Sequence, residues 1–159
     1  MKKVSLAGLA FVMLFVLMST VQAQSPQVMA RDNRFIAYDN GTVLDTWTNL
    51  MWAAHDNASN INWYNAKNYC ENYRGGGYTD WRMPAQDELA GLYDAGKTYT
   101  SNCGLPVHLT ELIHLTSIGP WASETRGSDA AFFNFNVGLR AWPPQSSGGV
   151  RALPVRSGK

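Results

Sequence analysis

The sequence has few of the residues and motifs that mark catalytic and metal-binding proteins. Only two of its 159 residues are cysteines and only three are histidines. His108 and His114 stand six positions apart, which does not match the i, i+4 spacing of a helical metal site. The sequence contains no serine-hydrolase elbow, no HExxH motif and no phosphate-binding loop. These absences favour a protein that is not an enzyme and that holds no metal or other cofactor.

Long apolar runs are absent except at the N-terminus. Two lysines precede the apolar run Val4–Met18, and Val21-Gln22-Ala23 places small residues at positions −3 and −1 of a cleavage site. This pattern predicts a signal peptide over residues 1–23, and therefore an exported chain in the periplasm or outside the cell. An uncleaved anchor is the alternative, but the run is shorter than the ~20 residues of a spanning helix. We expect no membrane span after cleavage.

An excess of basic residues is also absent. Removal of Lys2 and Lys3 with the signal leaves 11 of the 13 basic residues against 12 acidic ones. This balance argues against a nucleic-acid partner. The remaining 136 residues suit one domain. We expect a disordered polar leader over 24–32 and a single domain over 33–158.

Turn residues and hydrophobic periodicity predict an α+β fold. Asn40-Gly41 indicates a hairpin turn, Asn62 is a suitable helix N-cap, and Thr110–Leu115 has the pattern of a single helical turn. The predicted helices are Trp63–Tyr73 and Pro84–Ala95. The predicted strands are Arg34–Tyr38, Thr42–Asp45, Leu50–Ala54, Pro120–Glu124, Ala131–Val137 and Val150–Val155. Helices grouped beside antiparallel strands are typical of this fold class.

The two cysteines form an even pair in a chain that we expect to be exported. This predicts a disulfide between Cys70 and Cys103. Closing a loop of about 33 residues would stabilise the fold by roughly 3–4 kcal/mol in the chain-entropy model. A reactive thiol pair is the alternative, although neither cysteine has a CxxC spacing or a flanking basic cluster.

Five residues are candidates for ligand binding. Arg82, Glu88 and Arg151 would form a polar site near the sheet, or else make salt bridges that tie the central loop to the strands. Arg140 and Trp142 lie in the Pro-, Gly- and Ser-rich segment Leu139–Gly149, which we expect to be a loop. An aromatic ring beside a cation in a loop can stack on a sugar or contact a partner protein. Simple packing of the loop is the alternative.

One loop is rich in oxygen atoms and suggests a calcium site. Asp56, Asn57, Ser59 and Asn60 lie close together in the sequence. Calcium takes six to eight oxygen ligands, and several of them are normally carboxylates. This loop has only one carboxylate, so calcium is a possible cofactor that the sequence favours only weakly.

Many short segments, in order, resemble the Lcl C-terminal domain family. They are Arg34-Phe35, Gly41–Asp45, Thr48–Trp52, Ala66, Tyr69-Cys70, Gly77–Pro84, Glu88-Leu89, Trp121–Ser123 and Val150–Arg156. The resemblance implies an exported bacterial domain. In some members this domain stands at the tip of a collagen-like stalk and acts in adhesion and glycan binding. The present sequence contains no Gly-X-Y repeat.

A weaker resemblance concerns the fold. The helix ending in Tyr69-Cys70, the glycine loop and Trp81–Glu88 are similar to a stretch of formylglycine-generating enzymes. That similarity implies a C-type-lectin-like fold, with two helices beside a small twisted antiparallel sheet and long loops. Because lectin-like domains bring their termini together, it also implies that the last strand lies in the sheet near the first ones. It does not imply catalysis, because no cysteine follows Cys103.

Together these observations predict a domain that binds a carbohydrate or a protein of the cell envelope. The alternatives are an oxidase or hydrolase on the same scaffold and a structural subunit of an envelope assembly.

Overall fold

The computed structural model describes residues 25–159. The predicted signal peptide lies outside the described residues. The strands are β1 (Val28–Asp32), β2 (Phe35–Tyr38), β3 (Thr42–Asp45), β4 (Leu50–Ala53), β5 (Tyr99–Thr100), β6 (Pro106–Val107), β7 (Trp121–Arg126), β8 (Asp129–Asn134), β9 (Leu139–Ala141) and β10 (Val155–Ser157). The helices are α1 (Trp63–Asn72) and α2 (Gln86–Ala90), with a 3₁₀ turn at Gly75–Gly77 between them.

The strands form three antiparallel sheets. The largest has the order β1-β2-β3-β4-β10, a second consists of β5 and β6, and a third has the order β7-β8-β9. Along the chain, the two helices follow β1–β4 of the first sheet and precede the strands of the third, and β10 of the first sheet comes last. This arrangement confirms the predicted α+β class. The more specific lectin-like fold stays a prediction.

The first sheet follows the predicted hairpins closely. Gly41 adopts a φ of 77°, which lets the chain turn between β2 and β3. Val43 of β3 then pairs with Trp52 of β4, and both side chains are buried. β10 completes the sheet, because Val155 pairs with Trp52 from the other side. The last strand therefore joins the first ones, as predicted.

The prediction of a disordered leader over 24–32 is wrong for residues 28–32. Val28–Asp32 is strand β1, which pairs with β2 and begins the domain before residue 33. Its side chains are mostly exposed, so the sequence has no apolar pattern from which the strand could be predicted. Backbone pairing holds it instead, supported by a hydrogen bond of 2.9 Å from the Gln27 N–H to Asp39 Oδ1.

The first helix agrees with its prediction and the second is shorter than predicted. Asn62 caps α1, since its Oδ1 accepts from the Asn65 N–H at 2.9 Å. The prediction of Pro84–Ala95 is corrected to Gln86–Ala90, because Ala85 has an extended backbone and serves as the N-cap. The chain leaves the helix at Gly91.

Three other predicted elements need correction. Residues 110–115 form turns rather than a helical turn. The closing strand begins at Val155 instead of Val150, since Val150 and Arg151 make only single bridges to Ile61 and Pro120. The segment Leu139–Gly149 begins as strand β9 before it becomes a loop. In the first two cases the apolar pattern is too short to distinguish a strand or helix from an ordered loop. In the third, the Pro, Gly and Ser residues of the segment obscure a strand of only three residues.

The core consists of two clusters. The larger contains Trp52, Leu89, Ile113, Phe135 and Leu153, and the smaller contains Ala66, Cys70, Met83 and Trp121. Within residues 25–159, no helix is long and apolar enough to cross a bilayer.

Candidate binding surfaces

Residues 78–80, which follow the glycine turn, contact the last strand through Arg156. The Arg156 side chain is only 6% exposed, and its guanidinium stacks 3.9 Å from the centroid of the Tyr78 ring. It also donates from Nε to Asp80 Oδ1 at 2.6 Å, and this bond lowers the pKa of the Asp80 carboxyl. These contacts give the aromatic and acidic residues of this segment a structural role.

The candidates Arg82 and Glu88 pair with each other. Two bonds of 2.6 and 2.7 Å join the guanidinium to the carboxylate, and Glu88 Oε2 also accepts from the Ala85 N–H at 2.8 Å. Burial alone would raise the pKa of the Glu88 carboxyl, but the bonds from Arg82 and Ala85 outweigh it and the net pKa is lowered. The pair caps the start of α2, which supports the salt-bridge interpretation over a polar ligand site.

The candidate Arg151 contacts a different part of the molecule. Its Nε donates to Thr116 Oγ1 at 2.7 Å, and its Nη1 donates to Asn60 Oδ1. Arg151 therefore ties the chain before β10 to the loop that follows β4, through Asn60, and to the segment before β7, through Thr116. The structure brings Arg82 and Glu88 together, and Arg151 is not part of that pair.

In the loop that the sequence suggests as a calcium site, the side-chain oxygens of Asp56 and Asn57 accept hydrogen bonds from the protein itself. The Asp56 side chain is 5% exposed and accepts from the Thr116 N–H at 2.7 Å, from Thr116 Oγ1 at 2.9 Å and from the Ala58 N–H at 2.9 Å. Asn57 Oδ1 accepts from the Ala152 N–H at 2.8 Å. In residues 25–159, no three His, Cys, Asp or Glu side chains are grouped to hold a metal ion.

The predicted disulfide is absent: Cys70 and Cys103 are both free thiols, which corrects the sequence-based expectation. Cys70 lies on the buried face of α1 in the smaller core cluster, and burial raises the pKa of its thiol to about 12. Cys103 is exposed in a turn, 3.1 Å from Ser101 Oγ, and the bond from Ser101 lowers the pKa of its thiol. An even cysteine count does not reveal that the two thiols have such different surroundings.

The candidates Arg140 and Trp142 do not act as one pair. Arg140 belongs to β9 and forms an ion pair with Asp87 of α2. Trp142 is half-buried against the larger core cluster, and the guanidinium of Arg126 lies 3.7 Å from its ring centroid. The cation beside this tryptophan is therefore Arg126, which the sequence analysis did not identify because it lies 16 positions away on β7.

Trp142 lines an open groove on the surface, which we call the Trp142 groove. Its volume is about 460 Å³ and its lining is mainly apolar. Its lining side chains include Ile118, Phe132, Trp142, Pro143, Ser147 and Val150. The charged residues Arg126 and Arg140 are exposed nearby on β7 and β9. The groove thus combines an apolar floor with charged surroundings.

A second aromatic surface was missed by the sequence analysis. Trp47 is 72% exposed in the turn between β3 and β4. The sequence predicts only a turn at residues 46–49, between two strands. The sequence did contain a sign of this exposure, because the side chain of a tryptophan in a turn of four residues cannot easily reach the core.

Two comparisons with known proteins concern the family of this chain. The model of the Lcl C-terminal domain family matches residues 41–156. No curated protein matches the chain. Because the family match spans well over half of the sequence, the chain belongs to the Lcl C-terminal domain family.

Proposed function

We propose that this Lcl C-terminal domain is exported and acts as a non-catalytic binding domain that docks a protein of the cell envelope in the Trp142 groove. The family match is consistent with a binding or structural domain. Export rests on the signal-peptide pattern of residues 1–23. The observation that carries the choice of surface is the apolar lining of the groove.

The composition of the groove suits a protein partner. Protein interfaces combine an apolar, aromatic centre with a polar and charged rim. Tryptophan and arginine are the residue types most often responsible for binding energy at such centres. Here Trp142 and Phe132 supply the apolar floor, and Arg126 and Arg140 supply exposed charges nearby.

A carbohydrate is a less suitable occupant of this groove. Sugar hydroxyls need hydrogen-bond partners, and Ser147 is the polar side chain among the lining residues. Arg126 already stacks on the Trp142 ring at 3.7 Å, so a sugar that stacks on that face would have to displace it. An apolar side chain of a partner protein can instead pack against the apolar lining of the groove without displacing Arg126.

The proposal is tested by photo-crosslinking in cells that export the chain. A photoreactive amino acid replaces Ser147 inside the groove, and in a matched strain it replaces Glu71, which is exposed on α1. We expect one discrete protein adduct from position 147 that is missing from position 71. Mass spectrometry of the adduct identifies the partner.

Other results would contradict the proposal. Adducts of equal pattern from positions 147 and 71 would indicate nonspecific proximity. Adducts that carry only glycan mass would assign the groove to a carbohydrate instead. No adduct at position 147, in cells where the exported chain is folded and abundant, would leave the groove without a protein partner.

A further inference from the structure

Strand β9 lies at an open edge of the third sheet. The order of this sheet is β7-β8-β9, so within residues 25–159 β9 pairs with β8 on one side and with no strand on the other. An edge strand presents backbone N–H and C=O groups that have no strand partner, and another polypeptide can pair with them as a further strand. Leu139 and Arg140 of β9 are exposed, so this part of the edge is accessible to a partner.

The pairing register identifies which backbone groups of β9 point outward. Arg140 lies opposite Phe133 of β8. The Phe133 N–H donates to the carbonyl of Pro120, which directly precedes β7 on the other side of β8. In an antiparallel ladder, facing residues either exchange backbone hydrogen bonds or direct their N–H and C=O groups away from each other. Arg140 and Phe133 are of the second kind, so the N–H and C=O of Arg140 point toward the open edge.

The Trp142 groove lies beside this edge. Ala141 of β9 lines the groove, and so do Trp142 and Pro143, which follow it in the chain. Side chains of a strand alternate between its two faces, so Leu139 lies on the same face of β9 as Ala141. Leu139 is 61% exposed. A polypeptide that pairs with the edge would therefore run next to an apolar surface that leads into the groove.

One cation beside the groove has no carboxylate partner. Arg126 is exposed, stacks on the Trp142 ring, and forms no ion pair within residues 25–159. Asp129 faces it in the ladder of β7 and β8 without forming such a pair. Arg140, by contrast, is already paired with Asp87. An acidic side chain of a partner would complement Arg126.

We infer that the protein partner binds through an extended segment that joins the third sheet as a fourth strand beside β9. The backbone of the segment exchanges hydrogen bonds with the outward N–H and C=O of Arg140. One of its apolar side chains enters the Trp142 groove, and an acidic side chain pairs with Arg126. A helix cannot bind the edge in this way, because its backbone groups are already paired within the helix. This inference rests on the proposed function, since it describes how the partner proposed above is recognised.

The test removes the outward N–H of Arg140. The probe is the purified protein found in the adduct from position 147, and its affinity for the mature chain is measured by calorimetry. Arg140→Pro deletes the N–H, and proline is tolerated in an edge strand where the N–H faces solvent. The matched variant Arg140→Ala deletes the same side chain and its ion pair with Asp87 but keeps the N–H. We expect Arg140→Pro to bind about fivefold more weakly than Arg140→Ala, which is the usual worth of one hydrogen bond.

A second measurement needs no variant and so does not depend on the folding of Arg140→Pro. Hydrogen exchange of the Arg140 amide should be fast in the free chain and slow in the complex, because only the added strand gives this amide an acceptor. The Phe133 amide, which already donates to Pro120, is the control and should exchange slowly in both. The charge of the segment is tested separately, since Arg126→Glu should bind more weakly than Arg126→Lys.

The results that would overturn the inference differ from those that would overturn the proposed function. If the Arg140 amide exchanges equally fast in the free chain and in the complex, the partner occupies the groove without adding a strand; the inference is then wrong and the proposed function stands. Equal affinities of Arg140→Pro and Arg140→Ala, with both variants folded, lead to the same conclusion. Equal affinities of Arg126→Glu and Arg126→Lys would refute the acidic contact. An adduct of two copies of this chain would assign the edge to self-association. If position 147 gives no protein adduct, the proposed function fails and the inference fails with it.

Discussion

Replacement of Asp56 by alanine tests whether the loop after β4 is a structural element or a calcium site. The buried carboxylate accepts three hydrogen bonds, two from Thr116 and one from Ala58. Thr116 Oγ1 in turn accepts from Arg151 Nε at 2.7 Å. Asp56→Ala therefore leaves the Thr116 N–H without its acceptor and loosens the contact that holds Arg151.

The expected loss of stability follows from these contacts. A buried donor that loses its acceptor costs about 1–3 kcal/mol, and bonds to a charged group lie at the upper end. The Ala58 N–H is in an exposed part of the loop, where water can replace the carboxylate. We expect Asp56→Ala to lower the free energy of unfolding by about 2–4 kcal/mol. Asp56→Asn, which keeps one acceptor oxygen, should cost roughly half as much.

The measurement is urea unfolding of the wild type and both variants, each with calcium and with EGTA. A calcium site with a Kd of ~1 mM would stabilise the wild type by about 1.4 kcal/mol at ~10 mM calcium. We expect no such difference, because the oxygens of Asp56 already have partners. Stabilisation of the wild type but not of Asp56→Ala by calcium would show that the loop is a calcium site. A free energy of unfolding of Asp56→Ala that lies within about 0.5 kcal/mol of the wild-type value would show that Asp56 has no structural role, because changes of that size are typical of ordinary surface sites.

Three further predictions concern thiols, pH and processing. A maleimide should label only Cys103 in the native protein and both cysteines after unfolding, as measured by mass spectrometry. If neither cysteine is labelled in denaturant without a reductant, the two cysteines form a disulfide after all. The lowered pKa of Glu88 means that its contribution is present above its unfolded pKa of about 4.3 and is lost as the pH falls through the lower folded value. Glu88→Gln should thus lower the free energy of unfolding by up to about 1 kcal/mol at pH 7, a small value because the Arg82 side chain is 46% exposed to solvent. Urea unfolding should show that the difference between the wild type and the variant shrinks toward pH 3. N-terminal sequencing of the exported protein should begin at residue 24, and a start at Met1 would indicate an uncleaved anchor.

Local signals predicted the first half of the fold well. Asn40-Gly41 marks its hairpin and Asn62 marks the start of α1, because each residue acts through its immediate neighbours. Strand β1 could not be recognised, since its side chains are exposed and its pairing with β2 depends on the backbone. The end of α2 at Ala90 also depends on what packs around it, and the apolar period alone predicted five more residues, to Ala95.

The candidate sites were predictable only in part. Trp142 was identified from the composition of its loop, but Arg126, which stacks on it, comes from another strand. Arg140 was assigned to the same loop although it pairs with Asp87. Trp47 was missed because its importance depends on exposure, which follows from the tertiary fold. These three residues were misjudged because their surroundings come from distant segments of the chain.

The docking of a protein partner in the Trp142 groove is tested most directly by a pair of neighbouring glycine variants. Gly149 lines the groove and Gly148 does not, and a side chain at either position meets no atom within 4 Å of its Cβ. The affinity of the partner identified by crosslinking is measured for Gly149→Arg and Gly148→Arg. We predict a loss of at least about tenfold, or ~1.4 kcal/mol, for Gly149→Arg and no change for Gly148→Arg. Equal affinities for the two variants would contradict the proposed docking site.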